Sequence, residues 1–241
     1  MVSHLEPPDG ASTRANDDAT WWRTGGGAAI GFVIVFIAGV ALQTAPPLMD
    51  DPVDEMRADW AADGQRYLVA SYLLGLAFVV FFIPFVVALR GLLGRVEGGI
   101  EFWSRTMLFG AIATVLWSAW SSIFWGALAF GDFASEASDE TLRTLSVLDY
   151  SAVSGAPFAF AVFVGAASVV IAATAIVPRW IAGLGAVEFV VSVVAPLSIL
   201  TESSESFLDV VYLVSFLLLP LWILVMGVAM LHRASKLRRV P

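Results

Sequence analysis

The chain has 241 residues, 59% hydrophobic and 14% charged, with a mean hydropathy of +0.82, a formal charge of −8 and no cysteine. Soluble domains of this length run nearer to about 45–50% apolar and about 25% charged, so an ordinary cytosolic domain is excluded and a polytopic membrane protein is indicated. Without cysteine there is no disulfide framework, thiolate nucleophile, iron–sulfur site or Cys-ligated zinc.

Residues 1–24 contain Pro, Gly and Ser together with Glu6, Asp9, Asp17 and Asp18, and are expected to form a disordered tail. That acidic, extended lead also speaks against reading the first apolar run as the short core of a cleaved signal peptide. A spanning helix needs roughly 20 mostly apolar residues to cross about 30 Å of hydrocarbon. Runs at 25–44, 67–89, 106–130, 151–177, 180–201 and 207–231 meet that requirement, and residues 232–241 form a short basic tail. The expected fold is therefore all-α, a bundle of six transmembrane helices. None of the connections is long enough for a domain of its own.

Lys and Arg are retained on the cytoplasmic side of bacterial membranes. Placing both termini inside puts Arg14, Arg23, Arg90, Arg95, Arg105, Arg179, Arg233, Lys236, Arg238 and Arg239 on the inner face, leaving Arg57, Arg66 and Arg143 outside. The −8 then separates into an inner face at +4, an outer face at −11 and one acid, Glu188, belonging to neither. The outer acids read either as a solvated face or as a cation-collecting surface, and no D-x-D-x-D-G spacing marks a calcium loop.

The two larger outer connections have the features of short amphipathic helices. Asp51-Pro52 supplies an N-cap and a first-turn proline, Val53, Met56 and Trp60 share a face, and Gly64 suits a C-terminus. Ser138 can cap a second helix carrying Leu142, Leu145 and Leu148 into Asp149, Tyr150 and the fourth span. Such segments either cover a cavity or shield span ends.

Small residues govern helix association in a bilayer. In the third span Gly110, Thr114, Ser118, Ser122 and Gly126 recur every four residues, a row that drifts by about 40° per step. Gly27, Gly31 and Gly39 mark one face of the first span, and Ala161 and Gly165 one face of the fourth. The third-span row admits two readings, a packing seam or, with Ser121, a hydroxyl-lined path. Trp117 and Trp120 lie near mid-bilayer and admit an aromatic pocket or a bulky core layer.

Glu188 falls about 12 Å into the fifth span, where a carboxyl is costly and by default a functional candidate. Thr114, Ser118, Ser168 and Ser192 sit at similar depths or one turn away, so Glu188, Ser192, Thr114, Ser118 and Ser168 form the candidate intramembrane polar cluster. Its roles are structural, a proton or cation relay, or none if the side chain faces lipid. Pro84, Pro157, Pro196 and Pro220 should break helical hydrogen bonding locally. The two histidines, His4 and His232, cannot form a bis-histidine haem or an H-E-x-x-H site, and no catalytic motif, metal ligand set or cofactor is expected.

Pro178-Arg179-Trp180-Ile181-Ala182-Gly183-Leu184-Gly185 resembles a P-R-W-[LI]-x-x-[LI]-G turn of uncharacterised multi-helix membrane proteins from actinobacteria and related high-GC bacteria. The Asp63-Gly64-Gln65-Arg66 loop end, the Leu89-Arg90 exit and the Leu142, Leu145, Leu148, Tyr150 pattern are similar too, and twelve Arg against one Lys suit a high-GC genome. The resemblance implies six helices in a bacterial plasma membrane and carries over no functional residue. The sequence is read as a non-enzymatic integral membrane protein, an accessory or small-ligand or lipid-binding component with another membrane protein or a second copy as partner and no nucleic acid; the alternative is a small transporter or channel built around Glu188.

Overall fold

The computed structural model describes residues 10–43, 51–200 and 207–237, with side chains from Asp18 onward. Residues 1–9, 44–50, 201–206 and 238–241 lie outside the described residues, and with them Asp50, Glu202 and Glu205, three acids of the outer face. Six long helices run back and forth: α1 Gly10–Leu42, α2 Val53–Glu97, α3 Phe102–Ala129, α4 Asp139–Thr174, α5 Trp180–Leu200 and α6 Phe207–Leu237. Each holds a window long and apolar enough to cross a membrane. The all-α six-helix bundle expected from the sequence is the fold observed.

Three boundaries differ from expectation. The tail is helical from Gly10, and where it joins the span Trp22 is buried in the core and Asp18 pairs with Arg95 of α2. The terminal basic segment likewise continues α6 to Leu237. The amphipathic helix expected to stop at Gly64 instead runs straight into the second span. Gly64 is buried at a helix crossing, where an added Cβ would stand 3.0 Å from the Ala129 carbonyl oxygen, so the missing side chain serves close approach and not a C-cap. α2 does loosen further on, in a π turn at Ala77–Phe82 just before Pro84. Proline cannot donate to the Val80 carbonyl, and the wider register accommodates that loss. Ser138 caps α4 as expected, accepting from the Thr141 N–H at 3.2 Å.

The closest helix contacts fall on glycines. Gly26 of α1 and Gly227 of α6 meet backbone to backbone, with an added Cβ at Gly26 standing 2.8 Å from the Gly227 carbonyl oxygen. Gly31 takes the ring of Phe81 and Gly39 the side chain of Leu74, whereas Gly27, on the row expected to pack, faces open space. Gly110 of α3 rests on the α4 backbone, where an added Cβ would lie 2.4 Å from the Phe163 nitrogen. The main core fills the space between these crossings with Phe32, Phe82, Phe85, Phe163 and Trp222 in edge and tilted contact.

The two ends of the bundle are closed by different chemistry. At the basic end Glu97 of α2 caps α3 from outside, accepting from the N–H groups of Trp103 at 2.7 Å and Ser104 at 2.8 Å. Arg90 pairs with Glu101 beside it. At the acidic end Arg57 donates to the carbonyls of Ala134 at 2.7 Å, Ser135 at 3.0 Å and Ala137 at 2.9 Å, and to Asp139 at 2.8 Å. Those bonds fix the α3–α4 connection onto the start of α2, over a small core of Trp60, Tyr67, Trp125, Leu128 and Leu142.

Candidate functional site

The third-helix row of small residues behaves differently along its length. At its start Gly110 touches α4, and Thr114 is fully buried with its hydroxyl donating to the Gly110 carbonyl at 2.9 Å. Two steps on, the accumulated rotation has carried the row off the α4 backbone. Ser118 and Ser122, with Ser121 beside them, line a cavity of about 370 Å³, and Gly126 faces open space.

This cavity is walled by residues from α1, α2, α3, α4 and α6. Its aromatic faces come from Phe36 and Phe78, Trp117 and Trp125, Phe160, and Tyr212 and Phe216. Trp117 packs over Gly155, where an added Cβ would stand 2.8 Å from the indole. Trp120, its expected partner in an aromatic pocket, turns outward at 57% exposure and only flanks Trp117 with ring centroids 6.4 Å apart. The polar groups in the wall are Gln43, Ser71, Ser118, Ser121, Ser122 and Tyr212. Val153 and Phe216 also line it, and Pro157 and Pro220, four residues beyond them, cannot donate to their carbonyls.

Asp149 anchors one side of this wall. Its two oxygens accept from the Ser121 hydroxyl at 3.0 Å and the Trp125 indole N–H at 2.7 Å, tying the end of α3 to α4. The sequence places Asp149 only at the end of the second amphipathic segment; its partners Trp125 and Ser121 reach it across 24 and 28 residues, which no local pattern announces.

The polar cluster expected around Glu188 divides. Glu188 is fully buried, and its Oε1 accepts from Ser192 at 2.8 Å, one turn along the same helix. Ser192 in turn lies 2.7 Å from the Ser215 hydroxyl of α6, a third member that the sequence reading did not include. A depth count finds it: Ser215 lies about 12 Å inside α6 from the acidic end, and Ser192 lies about 18 Å from the opposite end of α5, which is the same level in a core of about 30 Å. Thr114 and Ser118 share a depth with this group but not a place, because both donate to their own helix on the α3–α4 side while Glu188 turns toward α6. Ser168 sits on α4 against Gly185, whose Cβ would lie 2.0 Å from the Ser168 oxygen. Neither that hydroxyl nor Glu188 Oε2 has a hydrogen-bond partner among the described residues.

A second cavity, of about 630 Å³, opens at the basic end between α3, α4 and α5. It is lined by small residues, among them Ala161, Gly165, Ala182 and Gly183, together with Ser168 of the expected cluster, Trp103 and Arg179. Glu188 lines neither cavity. No group of three or more His, Cys, Asp or Glu is arranged to hold a metal among the described residues.

The fold and these sites define a multi-pass α-helical membrane protein whose internal spaces are apolar with a few converging polar groups. Comparison with protein-family models, with curated proteins and with solved structures gave no match.

Proposed function

We propose that this is a non-enzymatic integral membrane protein that holds a small, mostly apolar ligand in the cavity between α1, α2, α3, α4 and α6, acting as an accessory or ligand-binding component in the membrane. The single observation that carries this reading is the composition of that wall: aromatic and aliphatic side chains from five helices, with Gln43, Ser71, Ser118, Ser121, Ser122 and Tyr212 placed among them. Ligand sites are commonly of this kind, apolar for affinity with a few polar groups for orientation. The split between basic and acidic ends supports a bacterial plasma membrane with both termini cytoplasmic, which opens the cavity nearer the outer face. The actinobacterial resemblance agrees with that location. A partner protein or a second copy remains part of the accessory reading. A transporter or channel centred on Glu188 has less support, because neither cavity reaches that carboxyl.

Native mass spectrometry of the full chain in mild detergent tests the proposal. The wild type is expected to retain a small molecule that Ala156→Phe, which places a ring in the cavity, releases. Identical bare spectra for both would contradict it.

A further inference from the structure

The hydrogen-bonding atoms around the α3 cavity are unevenly divided between donors and acceptors. Ser118 and Ser122 commit their protons to the Thr114 and Ser118 carbonyls, both at 2.9 Å. Ser121 and Trp125 commit theirs to Asp149. The three serine hydroxyls are thereby left with lone pairs to offer. Gln43, Ser71 and Tyr212 can serve in either sense, and of the described wall residues Trp117 alone keeps an uncommitted group that can only donate.

Charge points the same way. Asp149 lies directly behind the wall: Ser121 and Trp125, which both line the cavity, bond to it. No Arg, Lys or His among the described residues forms an ion pair with Asp149, and Arg57 is committed to the α3–α4 connection. The segments 44–50 and 201–206 contain no basic residue. A partly buried carboxylate with no cationic partner, beside aromatic faces and surplus acceptors, complements a positive ligand.

We infer that the ligand of this cavity is an organic cation of the primary-ammonium type with an apolar body, its ammonium turned to the Asp149 side and its body lying among the rings of Trp117, Phe160 and Phe216. This inference rests on the ligand-binding reading above and names the class of molecule that site takes. A neutral lipid or hydrocarbon would supply neither a donor to the serine lone pairs nor a counter-charge to the hydrogen-bonded carboxylate.

The test uses two probes of one shape, 3-phenylpropylammonium and butylbenzene, titrated calorimetrically into the full chain in a neutral detergent. The ammonium is expected to bind at least about tenfold tighter than its hydrocarbon isostere. Asp149→Asn is expected to bring that ratio near one, Asp149→Glu to retain most of it, and Ala156→Phe to abolish binding of both probes. The wild-type ratio needs no variant, so it decides the matter even if a substitution at Asp149 fails to fold. Equal binding of the two probes, or a ratio unchanged in a folded Asp149→Asn protein, overturns the cation inference and leaves the ligand site standing. Failure of both probes to bind the wild type overturns the site as well.

Discussion

The two halves of α3 carry the same row of small residues and do opposite things with it. From Gly110 to Thr114 the row is pressed onto the α4 backbone; from Ser118 to Gly126 it borders a cavity and then open space. A four-residue repeat on a helix of 3.6 residues per turn rotates by about 160° over four steps, so one row cannot face one neighbour throughout. Small-residue periodicity thus signals that something approaches the helix closely, and the rotation decides whether that neighbour is a backbone or a ligand-sized space.

Substitutions at the two ends of the row sharpen this contrast. Gly110→Leu should be the most damaging change in the chain, because its Cβ would lie 2.4 Å from a backbone nitrogen that cannot retreat without moving α4. A cost of about 3 kcal/mol or more is expected, seen as loss of a monodisperse species in detergent or a large fall in the thermal midpoint. A midpoint like that of the wild type would mean that α3 and α4 are not in contact there. A smaller effect is expected at the α3–α4 connection. Arg57→Ala removes the donor to three carbonyls and should loosen residues 133–137, with faster hydrogen exchange confined to that segment and a loss of about 1 kcal/mol. Exchange that stays slow would show that the aromatic cluster below holds the connection by itself. Smallest, and of opposite sign, is Gly126→Ala: its Cβ meets nothing within 4 Å, so the gain in helix propensity should stabilise the protein by up to about 1 kcal/mol. Destabilisation there would mean the far half of the row is packed after all.

Much of the architecture was legible because spanning helices are specified by length and apolarity, which need no tertiary information. The extensions of those helices were not. Gly64 looks like a stop in a one-dimensional reading, since the Ala129 carbonyl that requires a glycine there is 65 positions away. The helix from Gly10 to Arg23 reads as polar tail until Trp22 has a core to enter. The Glu188–Ser192 bond was readable, since a spacing of four puts both on one helix face; Ser215 required matching depths between two helices. Thr114 shows the limit of depth alone, because equal height in the membrane does not specify which helices adjoin. The cavity was legible as a pair of options, hydroxyl path and aromatic wall, and its location depended on the rotation of one row and on the outward turn of Trp120.

The central claim is that one row of α3 is closed at Thr114 and open at Ser122. The absence of native cysteine makes that measurable with single thiols. Thr114→Cys and Ser122→Cys, each the sole cysteine in the full chain, can be treated with 2-aminoethyl methanethiosulfonate and the modified fraction followed by intact mass. The account expects Ser122→Cys to be modified rapidly, more slowly once 3-phenylpropylammonium is added, and Thr114→Cys to stay unmodified while the protein is folded. Equal modification of the two thiols, or a protected Ser122→Cys beside a reactive Thr114→Cys, would contradict it.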